Sequence, residues 1–193
     1  MPTRIFNKSN YNSNNGFLVT VWGPLIWTFL HIMSFNYPTS PTPENKKHYM
    51  DFILSLQHIL PCGHCRTNLT NNFKNFPITM KHMKNRETFS RYVYELHEHV
   101  NKMLHKTSNL SYCEVRARYE NFRSRCNTPK NQQIKKEKHT NKTHKHKKES
   151  GCVDPLYGKK AKSVISIVPQ TLRCKTLKID SKCITKRKKR VAT

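Results

Sequence analysis

Residues 60–69 read LPCGHCRTNL and contain the most closely spaced pair of cysteines in the chain. This stretch places Cys62 and Cys65 two residues apart, directly after a proline and with His64 between them. This spacing keeps both sulfurs within reach of a disulfide, so the pair can cycle between dithiol and disulfide. If a short helix begins here, its N-terminus stabilises a thiolate and lowers the pKa of that cysteine. The stretch therefore favours a redox-active pair.

Two other interpretations of Cys62 and Cys65 stay open from the residues alone. The pair could supply half of a tetrahedral zinc site, which needs a second pair with its own short spacing. Cys113 and Cys126 lie too far apart for this, and His97 and His99 lie too close together. The sequence thus predicts no metal. The remaining alternative is two incidental cysteines, since a lone Cys-x-x-Cys is only a moderate signal.

Charge divides the 193-residue chain, whose net charge is +25. Residues 1–126 carry 16 basic and 7 acidic side chains, whereas residues 127–193 carry 20 and 4. The second part has few large apolar residues, so it cannot bury enough surface to offset the entropy of ordering. We predict a flexible N-terminus over 1–16, a folded domain over 17–126 and a basic, mostly disordered tail over 127–193.

The folded part has the pattern of an all-α protein. The sequence has no run of 18 apolar residues, so no membrane span is predicted. Residues 1–17 lack the apolar stretch of a secretory signal. A helix is predicted to open at Gly23-Pro24, a second to run from Pro43 to Pro61, and a short third to begin at the cysteine pair. The strongest apolar stripe covers 88–105, and Ser111 begins a capping box for a short last helix. We expect a four-helix bundle with a short fifth helix.

Five blocks of sequence together resemble the Erv/ALR family of FAD-linked sulfhydryl oxidases. They occur in a consistent order across residues 17–126, and their first block looks most like the forms of large DNA viruses. The blocks are Trp22-Gly23-Pro24-x-x-Trp27-x-x-Leu30-His31, then Tyr37-Pro38, then Pro61-Cys62-x-x-Cys65, then Leu96-His97-x-x-Val100-Asn101-x-x-Leu104-x-Lys106, then Tyr112-Cys113 with Cys126.

The resemblance implies a four-helix bundle with a fifth short helix that holds FAD between helices. It also implies that Cys62 and Cys65 form the redox-active disulfide, with Cys62 attacked by a substrate thiolate and Cys65 next to the flavin. Thiol-containing protein substrates or a shuttle dithiol protein would then be oxidised, and dioxygen would be reduced to hydrogen peroxide. The family further implies a homodimer formed through the first two helices.

By the same resemblance, eight residues are candidates for binding FAD. Ordinary core packing is the alternative for Trp27 and His97, and a solvated surface position is the alternative for Lys106. Four departures from the family pattern affect individual contacts with FAD: Glu98, His105, Thr107, and Tyr119 in place of a tryptophan. The eight candidates are Trp22, Gly23, Trp27, His31, His97, Asn101, Lys106 and Tyr119.

The other five cysteines have two expected roles. The resemblance implies a structural disulfide between Cys113 and Cys126, with two free thiols as the alternative. Family members often carry a second, mobile cysteine pair on an extension, and Cys174 with Cys183, or Cys152 with either, would be the candidates here. Incidental cysteines in a disordered tail are an equally good interpretation of these three.

The lysine-rich segments near 135–148 and 186–190 suggest a second class of function. They could contact nucleic-acid phosphates or act as a nuclear-localisation signal, although a charge run is more often only solvated. A basic nucleic-acid-binding protein is therefore the alternative to the oxidase. A thioredoxin-like reductase is excluded because the sequence has no βαβ pattern. For a viral oxidase we expect the host cytoplasm or the virion, with nuclear entry through the C-terminal cluster.

Overall fold

A computed structural model describes residues 7–126, 151–172, 174–175 and 177–183. The chain divides between Tyr112 and Cys113 into two compact units. Residues 127–150 and 184–193 lie outside the described residues, and so does most of the tail predicted to be disordered. The predicted domain boundaries stay predictions.

Helices account for nearly all of the regular structure in the described residues, which confirms the all-α prediction. Four long helices and a shorter sixth one match the expected bundle with its fifth helix, and a single-turn helix near the N-terminus adds to it. The elements are α1 (Lys8–Tyr11), α2 (Val19–Phe35), α3 (Pro43–Ile59), α4 (Gly63–Asn75), α5 (Arg86–Met103), α6 (Tyr112–Glu120), β1 (Ser124–Arg125), β2 (Asp154–Pro155) and a 3-10 turn (Ser181–Cys183).

Helix α2 begins earlier than the sequence predicted. Gly23-Pro24 was expected to open it, but the helix starts at Val19 and contains Pro24 within its second turn. A proline there omits only one backbone hydrogen bond. The amides of Val21 and Trp22 already donate to the carbonyl of Leu18, at 3.0 and 3.3 Å, so the helix is established before the proline. The prediction of its start was therefore wrong by one turn.

Side-chain caps fix the starts of the next helices. Thr42 and Asn45 exchange hydrogen bonds at 3.1 Å in a capping box that begins α3. Asn85 and Thr88 do the same at the start of α5, at 3.1 and 3.0 Å. These caps set where each helix enters the bundle.

The core of the first unit lies where α2 packs on α5 and α3 packs on α4. Tyr37, fully buried after the end of α2, packs edge-on against Tyr49 of α3 with ring centroids 4.7 Å apart. Its hydroxyl donates to the carbonyl of Met83 at 3.0 Å, and its own carbonyl accepts from Arg86 Nε at 2.6 Å. Because its polar atoms are paired, this tyrosine can lie in the core without a desolvation penalty.

No helix among the described residues is both long and apolar enough to cross a membrane.

The second unit contains a small antiparallel ladder. Ser124 lies opposite Pro155 and Arg125 opposite Asp154. The carbonyl of Arg123 accepts from the amide of Leu156 at 2.8 Å and extends the pairing by one step. The ladder holds two segments of chain that are far apart in sequence against each other.

Candidate functional site

Cys62 and Cys65 form a disulfide at the N-terminus of α4, with Cα atoms 5.2 Å apart. Cys62 is the cap residue of this helix, and its Sγ accepts the backbone N–H of Cys65 at 3.2 Å. Both cysteines are half-buried, while Gly63 and His64 between them are exposed. A thiolate at Cys62 would be stabilised by that N–H and by the positive end of the helix dipole. The predicted redox pair is therefore a disulfide in a setting that favours its reduced form.

The turn that carries Cys62 is held by several hydrogen bonds. The carbonyl of Leu60 accepts from the amide of Cys62 at 2.8 Å and from Arg66 Nη1 at 2.6 Å. The amide of Arg66 donates in turn to the carbonyl of Cys62 at 3.1 Å. Arg66 thus links the first turn of α4 to the end of α3, a role that its sequence position did not reveal. The disulfide sits on a well-fixed piece of backbone.

A second cluster lies between α2 and α5 and contains three of the predicted cofactor residues. Trp27 stacks on His97 with ring centroids 4.0 Å apart and an interplanar angle of 6°. His31 Nε2 lies 3.0 Å from His97 Nδ1, which is a hydrogen bond between the two imidazoles. Trp27 and His31 share one face of α2, as their spacing of four predicts. The structure therefore brings these three side chains together.

Both imidazoles of this cluster are neutral at ordinary pH. Burial, together with a smaller effect of the neighbouring His97, lowers the pKa of His31 to about 3. Burial also lowers the pKa of His97 to about 4, against a smaller raising effect of the Glu98 carboxylate. A neutral pair can share one hydrogen bond, with one ring donating and the other accepting. The cluster thus offers uncharged polar edges and an indole face.

The C-terminal end of α5 positions Asn101 and Lys106. Asn101 Nδ2 donates to the Glu98 carboxylate at 3.1 Å, so the residue that departs from the family pattern orients this amide. The amide of Lys106 donates to the carbonyl of Asn101 at 2.8 Å, and that of His105 to the carbonyl of Lys102 at 3.1 Å. His105 has a φ of 53°, the left-handed conformation that closes a helix in this pattern. Lys106 is exposed one residue beyond it.

Trp22 and Gly23 lie elsewhere on α2. Trp22 Nε1 donates to the carbonyl of Phe17 at 3.1 Å. Its side chain lines an apolar pocket of about 380 Å³ formed by one face of α2, the end of α3 and Pro61. Gly23 is buried, and a Cβ there would lie 3.6 Å from the Val19 side chain, an ordinary contact. Their predicted role in binding FAD stays a prediction.

The last two groups of predicted residues lie in the second unit. Tyr119 on α6 packs edge-on against Phe122 with centroids 6.5 Å apart, and its cofactor role stays a prediction. The predicted Cys113–Cys126 disulfide is wrong: Cys126 is bonded to Cys152, while Cys113 is a free, exposed thiol. The β1–β2 ladder explains the pairing, because it aligns the residue after β1 with the residues just before β2. Of the predicted shuttle candidates, Cys152 is thus occupied, and Cys174 and Cys183 are free thiols.

The sequence of this chain is similar to those of known viral proteins. A probable FAD-linked sulfhydryl oxidase of Acanthamoeba polyphaga mimivirus is 36% identical over 80 residues, 42% of this chain. An FAD-linked sulfhydryl oxidase of African swine fever virus is 30% identical over 99 residues, 51% of this chain. The chain spans 56% of the length of the mimivirus relative and 80% of that of the swine fever relative.

A solved structure and a family model also match this chain. The crystal structure of the yeast Erv1 core is 27% identical, covers 62% of this chain with 94% of its own, and gives a TM-score of 0.48. The sequence model described as the Erv1 / Alr family matches residues 24–123, a range that contains the disulfide at α4 and the imidazole cluster. This chain therefore belongs to the Erv1 / Alr family.

Proposed function

We propose that this chain is an FAD-linked sulfhydryl oxidase. It oxidises pairs of thiols in protein substrates to disulfides and passes the two electrons through Cys62–Cys65 and FAD to dioxygen, which becomes hydrogen peroxide. The observation that carries the proposal is the disulfide at the start of α4, where the Cys62 sulfur accepts a backbone N–H. The relatives named as FAD-linked sulfhydryl oxidases support the same chemistry.

The exchange reaction takes place at Cys62. A substrate thiolate attacks the Cys62 sulfur, a mixed disulfide forms, and the Cys65 sulfur leaves as a thiolate. The second substrate thiolate then attacks the substrate sulfur of the mixed disulfide and releases Cys62. Cys62 is a good leaving group because its thiolate is stabilised by the Cys65 N–H at the helix N-terminus. The substrate is released as a disulfide, oxidised by two electrons, and Cys62 and Cys65 are left as a dithiol.

The residues between α2 and α5 fit a flavin dinucleotide. Trp27 offers an aromatic face, and His31 and His97 offer uncharged ring nitrogens, as their lowered pKa values require. Asn101 offers an amide held by Glu98, and Lys106 offers an exposed ammonium suited to a phosphate. When bound, FAD supplies the two-electron acceptor and the reactivity with dioxygen. The chain's own residues orient it and keep the imidazoles neutral.

A homodimer is part of the same proposal. Leu25, Phe29 and Ile32 form an apolar stripe on α2, and their exposed fractions are 44, 51 and 46%. An exposed apolar stripe of this kind is typical of a surface that binds another protein. Sedimentation of the purified chain should give a dimer, and Phe29→Asp should give a monomer. A monomeric wild-type chain would rule this part out.

We also propose, with the viral relatives as support, that the protein works in the cytoplasm or virion of an infected cell. The basic cluster at 186–190 would direct nuclear entry, and the lysine-rich segments would contact nucleic acid. Both segments lie outside the described residues. The full chain and a variant with glutamines at 186–190 should differ in cellular distribution and in salt-dependent retention on DNA. Equal behaviour would remove the proposed role of the cluster.

The test of the oxidase combines a spectrum with oxygen uptake. The purified chain should be yellow with flavin bands, and it should consume oxygen when a reduced protein thiol is added. Cys65→Ser and Cys62→Ser should each abolish this uptake, and Cys113→Ser, which changes a free exposed thiol, should leave it intact. A colourless chain that holds one zinc ion would instead establish the metal-binding alternative.

A further inference from the structure

The segment just before α2 contacts the turn that carries Cys62. The amide of Phe17 donates to the carbonyl of Pro61 at 2.9 Å. Gly16 lies so close to the same turn that a Cβ on it would be 2.4 Å from the Pro61 carbonyl oxygen and 3.0 Å from the Cys62 Cα. The first distance is shorter than a Cβ contact to backbone can be, and the second is at the tight limit of such contacts. The turn and the segment can therefore meet in this way only if residue 16 is glycine.

This contact completes the set of hydrogen bonds around the reactive cysteine. Within the turn, the Leu60 carbonyl is used by Cys62 and Arg66, and the Cys62 sulfur by Cys65. These partners all belong to the turn itself or to the first turn of α4. The Phe17 amide comes from a different part of the chain, about 45 residues earlier. It pairs with the carbonyl of Pro61, the residue that immediately precedes Cys62.

The segment is itself fixed on α2. The Phe17 carbonyl accepts from Trp22 Nε1 at 3.1 Å, so both polar backbone atoms of Phe17 are used. The Phe17 side chain is 77% exposed, and its ring therefore contributes little to the attachment. The contact with the Cys62 turn is made by the backbone of Gly16 and Phe17. A substitution that changes this backbone should therefore disrupt the contact, whereas removal of the Phe17 ring should not.

We propose that Gly16 is a positioning residue for the redox disulfide. It allows the Phe17 amide to hold the Pro61–Cys62 backbone in the conformation of the disulfide form, and it acts on the reaction through Cys62 alone. The inference rests on the proposed function, because it assigns a role in the same exchange reaction. In this proposal, reduction breaks the bond between the two sulfurs and allows the turn to relax, which weakens the contact with Phe17. A contact that holds the closed conformation consequently favours the disulfide over the dithiol.

An equilibrium with glutathione tests this without any oxygen uptake. In the absence of oxygen, two glutathione molecules reduce Cys62–Cys65 and become one glutathione disulfide, and the dithiol fraction is measured by thiol alkylation and mass spectrometry. We expect Gly16→Ala to raise the reduction equilibrium constant about fivefold, the size expected for one backbone hydrogen bond. Asn15→Ala, which adds no atom against Pro61, should leave the constant unchanged. An unchanged constant in folded Gly16→Ala would overturn the proposal.

A second pair of variants covers the case in which Gly16→Ala does not fold. Phe17→Pro removes the donating N–H, whereas Phe17→Ala keeps it and removes only the exposed ring. The proline variant should show the fivefold shift and the alanine variant should not. Equal constants for these two would overturn the proposal even if the wild-type chain proves to be an active oxidase. Conversely, a shift in a chain that consumes no oxygen would remove the proposed function and keep the positioning role.

Discussion

The two disulfides of this chain lie in opposite kinds of surroundings. Cys62–Cys65 closes a short loop within one helix N-terminus, and one of its sulfurs accepts a backbone N–H. Cys126–Cys152 joins residues 26 positions apart beside a two-residue ladder. The first setting stabilises a thiolate and makes the bond easy to reduce. The second setting closes a long loop and restricts the unfolded chain. One bond is suited to exchange and the other to stability.

The two bonds differ in local electrostatics and in the length of the closed loop, and these differences are the physical basis for the roles proposed for them. The first unit places an arginine and a helix N-terminus beside its bond, which favour the thiolate, whereas the proposed Gly16–Phe17 contact favours the disulfide. In the described part of the second unit, the bond is flanked by strands β1 and β2. Four predictions test the proposed difference in role between the two disulfides.

The largest expected effect is on catalysis. Cys65→Ser should lower the rate of protein-thiol oxidation at least a hundredfold, because exchange needs both sulfurs. The double variant Cys126→Ser with Cys152→Ser should keep the rate within about threefold of wild type, since its disulfide only restricts the chain. Steady-state oxygen uptake measures both. A comparable loss in the double variant would break the contrast.

The second effect is on stability and should have the reverse pattern. Loss of Cys126–Cys152 should lower the free energy of unfolding by about 3.5 kcal/mol, from the entropy of a loop of 26 residues. Loss of Cys62–Cys65 should cost less because its loop is much shorter. Denaturant unfolding followed by circular dichroism gives the two values. If Cys62→Ser were the more destabilising change, the assignment of roles would be reversed.

Acid should loosen the first unit before the second. The folded pKa values of His31 and His97 are about 3 and about 4, below the usual 6.5, so the unfolded chain binds more protons between these limits. Stability should therefore fall as the pH drops from about 7 to about 4, by about 3 kcal/mol for each histidine and about 6 kcal/mol in total. Described residues of the second unit include no histidine. Unfolding at a series of pH values tests this.

The control for the acid effect is His97→Gln, which removes one of the two buried imidazoles. Its stability should depend on pH less steeply than that of wild type over the same interval. A wild-type chain with constant stability between pH 7 and pH 4 would contradict the burial of these imidazoles in neutral form.

The smallest effect concerns the end of α5. His105 adopts a φ of 53°, which costs a residue with a Cβ more than it costs glycine. His105→Gly should raise the free energy of unfolding by about 1 kcal/mol. His105→Ala removes the same imidazole but keeps the Cβ, so it should not stabilise the chain. Thermal unfolding separates the two variants, and equal midpoints would show that the backbone conformation is not the cause.

Sequence patterns predicted the long helices because these carry apolar stripes with clear boundaries. Pro43 and Pro61 delimit α3 and its following turn, and residues 86–103 of α5 carry the strongest stripe. The start of α2 was misplaced because Pro24 resembles a first-turn proline, although it lies in the second turn. Helix α1 was missed because it is a single turn of polar residues.

Site residues that touch across long sequence distances were harder to predict. The pairing of Cys126 with Cys152 depends on a ladder of two residues, too short to leave a periodic signal. Gly16 lies in an asparagine-rich stretch, and nothing in its neighbours reveals that it faces Pro61. By contrast, Trp27 and His31 are one helical turn apart, so their common face could be predicted. Local spacing allowed contacts within a helix to be predicted, whereas contacts between distant segments could not be predicted.

The most direct test of the account is a stoichiometric reduction of the flavin-containing chain in the absence of oxygen. Two equivalents of dithiothreitol are added, one for the flavin and one for Cys62–Cys65. Free thiols are then alkylated, and the modified cysteines are identified by mass spectrometry. The account predicts that Cys62 and Cys65 are alkylated while Cys126 and Cys152 stay bonded, and that admitting air before alkylation restores Cys62–Cys65. Reduction of Cys126–Cys152 first, or a Cys62–Cys65 pair that stays reduced in air, would contradict it.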